Sequence, residues 1–163
     1  MSDDPIRAEA KRRHELHVSH PTHRPLSDNY ELVGLRTEEE FARVFGTVVD
    51  LTSRPGGDGG IDFRLPFLVN DKVLRFKIDT KGARKAFNLI VEVGEVEPET
   101  IYVLGHYSDE KDRTEFLGWQ WGKIVLRAPT KDFGYGVINH YIPAGKLRKM
   151  EELIARRAWR RRP

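Results

Sequence analysis

Three residues of this chain are of types that could do chemistry together. Asp62 follows the glycine-rich run "GGDGG", and Asp79 and Lys81 stand two apart in "FKIDTKG". Paired carboxylates form a hard oxygen-donor set suited to magnesium or manganese, and a nearby ammonium can position a water for attack. After Gly60, Ile61, Phe63 and Leu65 alternate with Asp62 and Arg64. Further on, Leu74, Phe76 and Ile78 alternate with Arg75, Lys77, Asp79 and Lys81. Period two predicts two strands with Asp79 and Lys81 on one face and Asp62 opposite its own apolar set. "VNDK" reads as the turn between them, so a hairpin in suitable register brings Asp62 beside Asp79 and Lys81. Acid-x-Lys also occurs at Glu9/Lys11 and Asp109/Lys111, but only Asp79 ends an alternating strand and follows a Gly-rich Asp by 17 residues.

The glycines need their own reading. The run lacks a Gly-Lys-Ser/Thr ending and the dinucleotide spacing, and it leads into a strand rather than a helix. Gly59 and Gly60 carry no Cβ, so a ligand can approach Asp62 closely; Asp62 as a simple turn cap is the alternative. A fourth candidate comes from "TEEEFARVFG". Thr37 as N-cap, Glu40 at the third helical position and Gly46 at the far end predict a short helix. Its apolar stripe is Phe41, Ala42 and Phe45, and Glu38 continues that stripe one turn earlier. An acid in a first turn is also favoured by the helix dipole alone.

The elements that position these residues belong to one domain with extensions. The chain has 163 residues, no cysteine and a net charge of +3. No apolar run approaches the ~20 residues that span a bilayer, and no secretion signal opens the chain, so a cytoplasmic protein without a membrane partner is expected. Residues 1–29 read as a basic, His- and Pro-rich arm, with a short helix in "IRAEAKRRHEL". Residues 30–155 form the domain, and 156–163 an Arg-rich tail. Strands are expected at "TVVDL", from Ile61, and at "VLRFKIDTK", "FNLIVEV", "TIYVLGHYS" and "TEFLGWQW". A final amphipathic helix from Gly145 is marked by Leu147, Met150 and Ile154. Helix, consecutive strands and helix indicate an α+β fold with a central mixed sheet flanked by helices.

"GLRTEEEFARVFG", "GGDGGIDF" and "FKIDTKG" together resemble the PD-(D/E)xK nuclease superfamily, in the style of its small single-domain phage and prokaryotic members. The resemblance extends over roughly residues 30–150, taking in "IYVLG", "FLGW" and "NHYIPAGKL". Ile61 stands where the family name has proline. The resemblance implies a restriction-endonuclease-like core and a Mg2+ site, with Mn2+ as substitute, formed by Asp62, Asp79, Glu38 and the main-chain carbonyl of Thr80. It implies Lys81 as the group that positions the attacking water, and hydrolysis of phosphodiesters in DNA. Cutting both strands would need a homodimer or two successive events.

Charge is uneven. Residues 145–163 hold eight Lys/Arg against two Glu, a local +6, which leaves −3 for the rest. Arg156, Arg157, Arg160, Arg161 and Arg162 suit phosphate contact, since neutralised phosphates release counterions. A solvated terminus is the alternative reading of this charge. Two other protein classes stay open: a catalytically silent nucleic-acid-binding module of the same fold, and a metal-independent interaction protein that works through its tail. Trp119 and Trp121 read as core and rim aromatics. His14, His17, His20 and His23 read as part of a polar arm rather than a zinc site. His140 and Tyr141 have no assigned role beyond packing or substrate contact.

Overall fold

The computed structural model describes residues 4–19, 30–48 and 63–158. The elements in chain order are α1 (Pro5–Ser19), α2 (Tyr30–Phe45), β1 (Phe63–Val69), β2 (Lys72–Ala83), β3 (Asn88–Glu92), β4 (Thr100–Ser108), β5 (Arg113–Trp121) and α3 (Gly122–Val125). They continue with β6 (Thr130–Asp132), β7 (Ile138–Pro143), a 3-10 turn (Ala144–Lys146) and α4 (Met150–Arg156). The fold is α+β. A four-stranded sheet of order β1-β2-β4-β5 mixes antiparallel pairs with the parallel pair β2/β4, and helices flank it. A three-stranded sheet of order β3-β7-β6 stands beside it. Among the described residues no helix is long and apolar enough to cross a membrane.

The β1–β2 hairpin closes where "VNDK" predicts. Asn70 and Asp71 both adopt positive φ, 49° and 63°, the primed-turn geometry that matches strand twist and that Asn and Asp tolerate best. Its ladder runs from Val69 opposite Lys72 to Phe63 opposite Ile78. Phe63, Leu65, Phe67 and Ile78 therefore share a face and pack with Phe41, Ala42 and Phe45 of α2, Ile101, Val103, Trp119 and Leu153 in the main core. Trp119 is fully buried, and its indole N–H donates to the Lys149 carbonyl at 3.0 Å, so it is a core residue.

The helices differ from the sequence expectation in three ways. First, α2 begins seven residues before Thr37, which is not an N-cap: its hydroxyl donates to the Val33 carbonyl one turn back (2.8 Å) and meets the Thr114 hydroxyl at 3.0 Å. Glu40 pairs with Arg43 and Arg113 instead of capping. The expected C-terminal glycine holds, since Gly46 has φ 64° and the Thr47 N–H reaches back to the Ala42 carbonyl.

Second, the short helix expected in the N-terminal arm is α1, 15 residues long, and it is packed rather than free: it docks on α2 through Ile6 and Ala10 against Leu32 and Leu35. Arg36 fixes this docking by pairing with Asp4, which immediately precedes α1, with Glu39 of its own helix and with Asp112 between β4 and β5. Third, residues 147–149 are not helical. Arg148 and Trp119 exchange main-chain hydrogen bonds of 3.0 and 2.9 Å, so α4 starts only at Met150 and turns Leu153, not Ile154, into the core. The strand expected at "TVVDL" falls mostly outside the described residues, and Thr47 and Val48 are not in a strand. Strands β6 and β7 have no counterpart in the sequence reading.

Candidate functional site

β2 carries Asp79, Thr80 and Lys81 beyond the described part of its neighbour β1. On one side its ladder with β1 stops, among the described residues, at Ile78. On the other it pairs in parallel with β4 from Lys77 to Ala83. The acid-x-Lys segment therefore begins one residue beyond the last described pair of the hairpin.

Which way its side chains point follows from the packing. Ile78 lies in the main core under α2, and Gly82, four residues on, is the seat of that helix. A Cβ there would overlap the Thr37 hydroxyl, lie 2.9 Å from Thr37 Cβ and 3.2 Å from the Val33 carbonyl oxygen. Ile78, Thr80 and Gly82 thus face α2. Asp79 and Lys81 face the opposite side, where Tyr102 and Leu104, their partners on β4, join the second core with Leu89, Val91, Val96 and Ile142.

On that face Lys81 Nζ lies 3.0 Å from Asp79 Oδ2. The Asp79 side chain is 13% exposed and that of Lys81 38%, so the carboxylate is sheltered while the ammonium meets solvent. Beside them the Tyr102 hydroxyl accepts the Glu97 N–H at 2.9 Å. Burial, together with the Asp79 charge, raises the Tyr102 pKa against the opposing effect of that bond.

Glu38 is 8% exposed. It follows Thr37 on α2 and so belongs to the helix side of β2, whereas Asp79 and Lys81 stand on the other. The structure joins Asp79 with Lys81 and does not put Glu38 on their face. Thr80 turns its side chain toward α2 and contributes to the Asp79 side only through its main chain. Asp62, Gly59 and Gly60 lie outside the described residues, as do Arg160, Arg161 and Arg162. Among the described residues, no group of three or more His, Asp or Glu side chains is arranged to hold a metal.

Arg156 and Arg157 are built into the fold rather than hanging from it. The Arg156 guanidinium lies over the Trp121 ring (5.6 Å), donates to the Leu68 carbonyl and pairs with Glu152. Arg157 donates to the carbonyls of Phe45 and Pro66 and forms an isolated bridge with Phe67. Burial, and then the nearby charge of Arg75, lower its pKa. His140 Nδ1 lies 2.9 Å from the Ala128 carbonyl oxygen, and the Tyr141 ring packs edge-on against Phe133, which are packing roles.

Sequence reasoning passed over the other residues on the Asp79 face. Arg64 pairs in register with Lys77, and Pro66 with Arg75. The signal was present in the same alternation that identified Asp79 and Lys81. No family model, curated protein or solved structure matches the chain.

Proposed function

We propose that this chain is a magnesium-dependent nuclease that hydrolyses phosphodiester bonds in DNA as an endonuclease, on a restriction-endonuclease-like core. The observation that carries the reading is the contact of Lys81 with Asp79 on the face of β2 that α2 leaves uncovered, where described β1 ends. The last described pair of the ladder is Phe63 with Ile78, and the residue next to each in the sequence is an aspartate, Asp62 and Asp79.

Two carboxylates with an adjacent main-chain carbonyl suit a hard divalent ion, and the sheltered Asp79 meets that requirement. Asp62, Asp79 and the Thr80 carbonyl would hold Mg2+ or Mn2+, which supplies charge stabilisation at the phosphate and a stronger nucleophile at neutral pH. Lys81 presents its ammonium to the attacking water and to the negative charge that grows on the phosphate, while Asp79 holds that ammonium in place. Glu38, buried on the helix side of β2, is assigned a supporting role rather than a place on the Asp79 face. The absence of cysteine suits work in a reducing cytoplasm.

The test is incubation of supercoiled, linear, single-stranded and branched DNA with and without magnesium, alongside Lys81→Ala. The alternative, a silent nucleic-acid-binding module, draws on the fact that Asp79 and Lys81 already neutralise one another. It predicts DNA binding with no product in any lane.

A further inference from the structure

The hairpin that carries Asp79 and Lys81 presents more positive charge on the same face. Along β2 the residues on that face are Arg75, Lys77, Asp79 and Lys81. On β1 the register adds Arg64, opposite Lys77. Arg64 and Arg75 are exposed, and among the described residues neither pairs with a carboxylate. The Arg75 guanidinium donates to the Arg64 carbonyl at 3.2 Å, which holds the two arginines close together. Lys77 reaches across to Glu97, which stands just before β4, at 2.8 Å; that carboxylate is half exposed.

The second sheet covers the β4 side of this face through Tyr102 and Leu104, and among the described residues the β1–β2 side stays uncovered, with Arg64 and Arg75 exposed. From Arg75 to Lys81 the strand advances about 20 Å, at ~3.3 Å per residue. That is the axial length of roughly six nucleotides of one DNA strand at ~3.4 Å each. Among the described C-terminal arginines, Arg156 and Arg157 spend donors on the carbonyls of Leu68, Phe45 and Pro66.

We propose that this face of the β1–β2 hairpin is a phosphate track for duplex DNA, with Arg64, Arg75 and Lys77 gripping the backbone of the strand that leads to Asp79 and Lys81. Glu97 holds Lys77 in the absence of DNA, and a phosphate displaces it. None of the three cations is placed to read bases in a fixed pattern, so the track is indifferent to sequence. This inference rests on the reading of Asp79 and Lys81 as a nuclease site.

The experiment is a salt titration of binding to short labelled DNA by fluorescence anisotropy, on two unrelated duplexes and one single strand. EDTA is present throughout, so no cleavage enters the signal. Arg64→Gln/Arg75→Gln/Lys77→Gln should weaken binding to both duplexes equally, by about tenfold or more, and flatten the log–log salt slope by roughly 2 to 3, near 0.9 per lost phosphate contact. Glu97→Gln should act in the opposite direction. It releases Lys77 and tightens binding about two- to fivefold, the size of an exposed ion pair.

An unchanged salt slope in the triple variant overturns the track, as does a loss confined to one duplex. A loss confined to the single strand overturns its assignment to duplex DNA. Because Glu97→Gln alters one exposed side chain, it decides the matter even if the triple variant folds poorly: no gain in affinity removes Lys77 from the track. Failure here leaves metal-dependent cleavage by Asp79 and Lys81 standing, whereas failure of cleavage leaves this binding result standing.

Discussion

Thr37 of α2 occupies the space that a side chain at Gly82 of β2 would need. This fit seats the helix on the sheet one residue from Lys81, and Gly105 on the neighbouring strand extends the seat, with Thr37 and Thr114 closing over it. Gly82→Ala should therefore destabilise the fold by about 1 to 3 kcal/mol, the usual cost of forcing a methyl into a filled site. The Val33 carbonyl 3.2 Å away is backbone and cannot rotate aside. Urea denaturation measures the loss. A variant as stable as the parent would mean that α2 is not seated through Thr37.

A second expectation concerns Arg157. It donates to the carbonyls of Phe45 at the end of α2, Pro66 on β1 and its neighbour Ala158, and its removal leaves them without this donor. Hydrogen bonds from a charged group are worth about 1.5 to 3 kcal/mol, so Arg157→Gln should lower stability on that order. The salt slope of DNA binding should not change. A flatter slope with unchanged melting would make Arg157 a phosphate contact after all.

The docking of α1 should be sensitive to acid. Burial alone would raise the pKa values of Asp4 and Asp112, but Arg36, aided by the Tyr107 hydroxyl at Asp112 and by hydrogen bonds at Asp4, holds both below the ordinary carboxylate range. Burial likewise opposes the charge of Arg36, and its hydrogen bonds to Asp112 and Asp4 prevail. Arg7 and Glu39 complete the set of charges around this group. Carboxylates with lowered folded pKa values contribute their full stability above the unfolded value of 3.8 and lose it as pH falls through the folded values. The melting temperature should drop below about pH 4. Asp112→Asn should show a shallower drop over the same range, and an identical pH profile would remove the network from the account.

The hairpin was legible because two signals agreed, a period of two on both strands and an Asn-Asp turn between them. That agreement also set Asp79 and Lys81 side by side, since residues two apart on a strand must share a face. The start of α2 was not legible: Leu32 and Leu35 have a reason to be helical only once α1 supplies Ile6 and Ala10. Nor could the side of β2 on which Glu38 lies be read, because the Thr37–Gly82 fit that decides it joins residues 45 apart in sequence. The shift from Ile154 to Leu153 has a similar origin, in the pairing of Arg148 with Trp119. Long-range contacts of this kind leave no periodic trace.

The central claim is that Asp79 and Lys81 divide the labour of phosphodiester cleavage, and one paired measurement tests it most directly. Magnesium binding by calorimetry and cleavage of supercoiled DNA are followed for Asp79→Asn and Lys81→Ala, each first checked for native melting. Asp79→Asn should lose both metal binding and cleavage, because a carboxamide lacks the charge that a hard divalent ion requires. Lys81→Ala should keep its magnesium affinity and lose about two to four decades of rate, the scale of a positioned electrostatic or proton-transfer group. Cleavage by Asp79→Asn at the parental rate, or loss of magnesium binding in Lys81→Ala, would contradict the account.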